Sequence, residues 1–403
     1  MTVKSPARWA VDLGTVCLLT WAVFGSLVST SGLIEWIRKD LGLSYSQSGF
    51  LLSIPFPLIS LCALAGGGLV DRLGTARMVR LGANLVFWGG LLRAWSGDFW
   101  ALGLGTALVG AGTGVIFPVL PKVARETAPP EKRAFSAGLY TAAVVVGASM
   151  GVAVSGFLAP LWRLAPFSSG EASWRGGYAA WGLAILAAFL LWRGFSSGGP
   201  EPEKEPERTV SAHRDEFSVW RSRAVWAVTG SLFVNNIIFY TSVGWLPSVL
   251  QEKGWTPAEA SPLASLVSWL GVFAVLTAHR FAPWFGGERN MVYLCALGTA
   301  AGLALIPLGG AWGAVSAIIL IGFALNFWFA FCMGFPALAV PAEKAGQAGG
   351  VIIGLGYFGG FVGPWAVGAV RDAAGGFGPA FFALAALSIL GVLAAPYFEH
   401  RRS

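Results

Sequence analysis

Twelve apolar runs, each near the length of a bilayer-crossing helix, divide six and six about one polar stretch. A helix needs roughly 20 apolar residues to cross the hydrocarbon core. Such runs cover 10–34, 47–70, 78–95, 99–121, 135–160 and 175–192, then 223–249, 259–279, 291–308, 312–338, 347–370 and 376–397. Charged residues make up only 12% of the 403 positions, against about 25% in soluble domains. Water could not solvate a chain of this length with so few charges, so lipid is the expected solvent. The 19 Trp and 55 Gly agree with that, because Trp favours the bilayer interface and Gly lets membrane helices touch. An all-α membrane protein follows, with a lobe of six helices in 1–195 and another in 218–403. Between them, SSGGPEPEKEPERTVSAHRDEF (196–217) has almost nothing apolar to bury and reads as a cytoplasmic linker. The N-terminal apolar run is too long for a signal peptide and reads as an uncleaved first helix.

Lys and Arg give the orientation. Of the 27, only Arg38, Lys39, Arg93, Arg163, Arg175, Lys253 and Arg371 fall on the side opposite the termini. The positive-inside rule then places both termini in the cytoplasm, in an inner membrane of bacterial type. The net charge of +7 belongs to these loops, so no nucleic-acid partner is expected. Cys17, Cys62, Cys295 and Cys332 lie in apolar runs without ligand spacing, and His213, His279 and His400 are scattered. No metal site, cofactor or catalytic cluster is expected. A membrane transferase is therefore a weaker reading than a carrier, and the chain is not expected to be an enzyme.

The most specific motif is GGLVDRLGTAR, from Gly67 to Arg77 at the end of the second run. It resembles the G-x-L-x-D-R-x-G-x-x-R/K signature of the major facilitator superfamily at each key position. That resemblance implies two pseudo-symmetric six-helix bundles and a functional monomer working by alternating access. It also implies that Gly67, Asp71, Arg72, Gly74 and Arg77 form a cytoplasmic gate latched in the outward-open state, which argues against a plain channel. The matching place after the eighth run, RFAPWFGGERN (280–290), keeps Gly286 and Arg289 but has Pro283 and Trp284 at the Asp-Arg positions. The fifth run (Gly147, Gly151, Gly156) and the eleventh (Gly350, Gly354, Gly356, Gly360, Gly363) carry glycines along one face. In the superfamily these helices pack against the opposite lobe and slide during rocking.

A narrower resemblance is to the cyanate/nitroimidazole branch, and more distantly to nitrate transporters. It is carried by LGLSYSQSGFLLSIP (41–55), GTALVGAGTGVIFPVLPK (105–122), SWRGGYAAW (173–181), YTSVGWLPSVLQEKG (240–254) and GYFGGFVGP (356–364). The Trp245-Leu246-Pro247 triplet is the most branch-specific part. Where that branch has Asn-Leu-Arg in the first helix, this chain has Trp21, Ala22, Val23, Phe24 and Gly25. The arginine that could meet a small anion such as cyanate is absent.

No Asp, Glu, Lys or His stands near the centre of any run. Asp12 is near an inner end, while Glu35, Asp98 and Asp372 are near outer ends. Coupling to protons, or to another ion, would need Asp12, Glu35 or the solute itself. Arg93, toward an outer end, either contacts an anionic solute or extends to the headgroups. Polar and aromatic residues at mid-depth are the remaining candidates. Asn236 and Tyr240, four apart, share a helix face, and Asn235 points about a quarter-turn away. By superfamily analogy the first, fourth, seventh and tenth helices line the cavity, bringing Trp21, Phe24, Asn236, Tyr240 and Asn326 together; Tyr357 is at mid-depth on the eleventh. The expected solute is a small anion or small organic compound, imported or exported; a drug or metabolite exporter is the alternative.

Overall fold

The computed structural model describes residues 6–117, 119, 128–164, 173–195 and 218–398. Fourteen helices run through the described residues. In the first half they are α1 (Pro6–Leu41), α2 (Tyr45–Ser53), α3 (Pro55–Leu73), α4 (Thr75–Trp95), α5 (Phe99–Ile116), α6 (Arg133–Val154) and α7 (Trp174–Phe195). In the second they are α8 (Arg223–Glu252), α9 (Pro257–Phe281), α10 (Glu288–Leu308), α11 (Ala311–Ala339), α12 (Ala342–Gly356), α13 (Gly359–Ala374) and α14 (Gly378–Leu390). The linker 196–217 lies outside the described residues.

Two of the expected spans are built from two helices each. At Ile54, just before Pro55, the backbone stays right-handed (φ −47°, ψ −40°). Pro55 has no N–H to continue the ladder, so α2 and α3 form one bent traverse. Likewise α12 gives way to α13 through Tyr357 and Phe358, both right-handed. Joined at these two bends, the fourteen helices of the described residues are consistent with twelve spans, and ten segments among the described residues are long and apolar enough to cross a membrane. The short connections expected near 95–99 and 308–312 are present. At the first, Asp98 accepts from the N–H groups of Trp100 and Ala101 (2.8 and 2.9 Å), satisfying donors that a helix start leaves free.

In lipid, apolar burial does not drive helices together, so close contact relies on small residues. A Cβ at Gly105 would strike the Gly89 carbonyl, and one at Gly112 the Gly82 carbonyl, which is how α4 and α5 lie backbone to backbone. Gly147 and Gly151 of α6 press in the same way on the carbonyls of Trp21 and Gly25 in α1. These glycines therefore serve packing inside their own lobe, not the sliding surface the resemblance implied for them. Each half forms its own bundle. The bundles meet where α2–α3 lies along α12–α13 and α6 along α9, with a smaller contact of α1 on α8. Below, the near face is the one where α1 begins and the far face the one where α1 ends.

Candidate functional site

A cavity of about 650 Å³ lies between the two bundles. It runs from mid-depth toward the near ends of α6, α9 and α11, where Ala137, His279 and Gly334 form its rim. Aromatic rings and aliphatic side chains share its wall. Phe24 (α1) meets Phe117, just past α5, at 5.6 Å between centroids; Phe117 meets Tyr357 at 5.7 Å, and Tyr357 meets Tyr240 (α8) at 6.0 Å. Tyr240 then packs on Phe56 of α3 at 4.1 Å. This aromatic ribbon crosses from one lobe to the other and back. Tyr240, Val243, Leu27 and Val28 also bound a void of only about 10 Å³ on the far side, so they partition the cavity from that face. Among the described lining residues there is no Asp, Glu, Lys or Arg. His279, at the rim, holds Glu288 of α10 through Nδ1 at 2.9 Å.

The sequence candidates fare differently. Phe24, Tyr240, Asn236, Asn326 and Tyr357 all line the cavity. Trp21 does not: its indole N–H donates to Met150 Sδ at 3.2 Å, and its ring packs on Trp181 at 5.1 Å, inside the first lobe. The two asparagine amides are spent on backbone. Asn326 Nδ2 donates to Val267 O and Gly322 O (2.8 and 2.7 Å), tying α11 to α9 at a place where Gly271 leaves room for it. Asn236 Nδ2 donates to Gly356 O at 3.1 Å. The helix break supplies that acceptor, because the Gly360 N–H bonds Tyr357 O instead. Asn236→Ala is therefore expected to lower thermal stability, by about 0.6–1.7 kcal/mol for one interhelical bond. Solute affinity should stay within about threefold, or 0.7 kcal/mol, as measured by titration of the purified carrier.

Asn235, read from its helical angle as pointing elsewhere, borders the cavity only from behind, with 0% of its surface exposed. Its Nδ2 donates to Leu325 O at 3.0 Å, and its Oδ1 has no partner. Tyr140 of α6, which the sequence did not single out, lines the cavity too and has an unpartnered hydroxyl.

Arg93 neither reaches the cavity nor extends toward headgroups. Its guanidinium is 0% exposed inside the first lobe, donating to the carbonyl and hydroxyl of Ser26 and lying 4.4 Å over the Tyr178 ring. Ser26 sits on α1 between Phe24 and Leu27, which line the cavity, so Arg93 backs that wall from behind.

The far face is closed across the lobes. Both carboxylate oxygens of Asp372, near the end of α13, accept from the first N–H groups of α2, Tyr45 at 3.0 Å and Ser46 at 2.7 Å. A helix start leaves such donors unpaired and carries partial positive charge. The Tyr45 ring lies under Arg38 (4.4 Å) and Arg371 (4.5 Å), and Glu252 fixes Arg371 at 2.7 Å. The Trp245 indole, from the branch-specific triplet, donates to Pro364 O at 2.9 Å and packs on Tyr45 and Phe377. The backbones touch as well: a Cβ at Gly49 would meet Pro364 O, and one at Gly368 would meet Tyr45 O.

A profile of the Major Facilitator Superfamily matches residues 16–364. The chain belongs to the major facilitator superfamily. It is 26% identical over 370 residues to the uncharacterized transporter YycB of Bacillus subtilis (strain 168), covering 91% of this chain and 88% of that one. It is 25% identical over 365 residues to the 2-nitroimidazole transporter of Escherichia coli (strain K12), covering 89% and 87%. Its fold matches a crystal structure of a D-xylose–proton symporter with a TM-score of 0.78 at 18% identity, over 97% of both chains.

As a major facilitator protein, the chain carries the signature at the near face. Gly67, Asp71 and Arg72 fall on α3, but their surroundings lie outside the described residues; Gly74 opens α4 with φ +78° and Arg77 is exposed. In the second lobe Gly287 opens α10 with φ +106°, following Gly286 at φ +82°. The turn geometry survives there although Pro283 and Trp284 replace the Asp-Arg pair. The sequence also holds a signal for the far-face contact. Asp372-Ala373-Ala374-Gly375 repeats the D-x-x-G spacing of Asp71-Arg72-Leu73-Gly74, and Gly375 has φ +74°.

Proposed function

We propose that this facilitator carries a small, planar, uncharged organic solute across the cytoplasmic membrane by alternating access. One observation carries the reading: the cavity is walled by aromatic and aliphatic side chains with a few amides, with no fixed charge among its described lining residues. Such walls suit an apolar body bearing a few hydrogen-bonding groups. A bare anion such as cyanate would leave water for a site that offers no cation, which is costly. The 2-nitroimidazole relative supports a heteroaromatic solute.

The Lys and Arg bias supports the near face as cytoplasmic. On that reading the arrangement described is inward-open, with the Asp372–α2 contact as the closed outer gate. The cavity needs both lobes of one chain and no residue from a second, so a monomer suffices. A wall without carboxylates supports facilitated exchange in preference to a proton relay through the cavity. Rocking must break the Asp372 contact. Asp372→Asn keeps an acceptor but loses the charge, a change of about 1–2 kcal/mol that shifts the inward-to-outward ratio roughly 5–30-fold. Asp71→Asn should shift it the other way. Crosslinking of cysteine pairs placed across each face checks both, and an unchanged pattern in both variants removes the latch reading.

The solute class is tested by counterflow in proteoliposomes with 2-nitroimidazole, cyanate and nitrite. Exchange of the heteroaromatic compound alone is expected. Exchange of the inorganic anions without it would overturn the reading.

A further inference from the structure

The cavity changes character with depth. Gly147 and Gly151 of α6 press on the carbonyls of Trp21 and Gly25 in α1, which sets Phe24 level with that stretch of α6. Phe117, Tyr357 and Tyr240 gather at the same end. Toward the near face the lining turns aliphatic. Val144 and Val145 of α6 line it from the first lobe, and Val275 of α9 and Met333 of α11 from the second. All four are partly exposed, so their side chains are accessible from the cavity. Polar side chains return only beyond the valines, with Thr141 one turn nearer on α6 and His279 one turn nearer on α9. From the level of Phe24 to Thr141, α6 runs about eight residues, or roughly 12 Å.

A single five-membered ring occupies only the aromatic end. The whole cavity, about 650 Å³, falls within the range of about 300–1,000 Å³ that takes drug-sized ligands. Apolar surface that faces water is unfavourable, and a solute group that covers it gains affinity. Each methylene so buried is worth about fourfold. Resting on the solute class proposed above, we infer that Val144, Val145, Val275 and Met333 form a second subsite, an aliphatic sleeve for an alkyl substituent. The preferred solute is then amphipathic. Its planar heteroaromatic ring lies among Phe24, Phe117, Tyr240 and Tyr357, and a short alkyl chain extends from the ring toward the near face. The thioether of Met333 is unbranched and polarizable, so the sleeve adapts to chains of differing shape.

The test uses the full-length carrier in detergent, with N1-methyl- and N1-butyl-2-nitroimidazole as probes and quenching of intrinsic Trp fluorescence as the readout. Partition of each probe into carrier-free micelles is measured alongside and subtracted. Wild type should bind the butyl compound about tenfold more tightly than the methyl one, which corresponds to partial burial of the three added methylenes. Met333→Gln makes the sleeve polar at nearly constant length, and Val145→Phe fills it. Each should cut the preference to about threefold or less. Equal corrected binding of the two probes by wild type overturns the inference and leaves the solute class standing. A tenfold preference that persists in both folded variants overturns it as well. If neither probe binds while cyanate or nitrite does, the sleeve and the solute class fall together. The wild-type comparison needs no variant, so it decides the question even if both substitutions misfold.

Discussion

Gly368→Ala is expected to abolish steady-state transport while both lobes fold and insert normally. Gly368 faces the opposite lobe, and an added methyl would collide with the backbone carbonyl of Tyr45, which no rotamer change can move. On the rocking reading the collision exists only when the far face is shut, so the substitution would penalise one state and spare the other. Overpacking of this kind costs about 1–3 kcal/mol in tightly packed interiors. On the rocking reading, that moves the population toward the outward-open form by roughly 5–150-fold. Labelling of Val243→Cys from outside by an impermeant maleimide, with the native cysteines replaced, should rise accordingly. Gly363→Ala is the control, since its methyl would strike Ile237 and Thr241 of its own lobe. It should lower thermal stability without biasing the label. Equal labelling in both variants would mean that Gly368 is packing alone.

Tyr240→Ala should weaken solute binding by about one to two orders of magnitude, or 1.4–2.8 kcal/mol. Tyr240 is both a wall of the cavity and its partition from the far side. It packs on Phe56 at 4.1 Å and neighbours Tyr357. Truncation to Ala removes the ring that a planar solute would stack on, and aromatic pairs are worth about 0.5–1.5 kcal/mol beyond their burial. Tyr240→Phe keeps the ring and gives up only the hydroxyl, so it should cost a few-fold at most. Binding titrations that rank Ala well below Phe, with Phe near wild type, support stacking. A Phe variant as weak as Ala would assign the affinity to the hydroxyl.

The twelve-traverse architecture was legible because each run is long and bounded by polar residues; neither proline nor glycine inside a run obscured it. What the sequence left open was orientation at atomic scale. A helical wheel puts Asn236 on the same face as Tyr240, and the structure agrees. The wheel cannot show that a break one helix away frees the Gly356 carbonyl to take up its amide. Asn235, a quarter-turn from Asn236, is spent on the Leu325 carbonyl inside the second lobe, in keeping with its helical angle. Arg93 illustrates the reverse problem: an arginine near a span end suggests water, yet Ser26 and the Tyr178 ring hold it inside the first lobe. The second D-x-x-G at 372–375 is readable in the sequence, but Val370 and Ala373 stand at the Leu and Arg places of the family motif.

An empty wall of rings and amides has an electrical consequence. The membrane potential does about 2.3 kcal/mol of work on each elementary charge moved through 100 mV. The described lining of this cavity offers that field no charge to pull on. For a neutral passenger, the concentration ratio across the bilayer would then set the direction of net flow, and an energised cell would gain no accumulation from voltage.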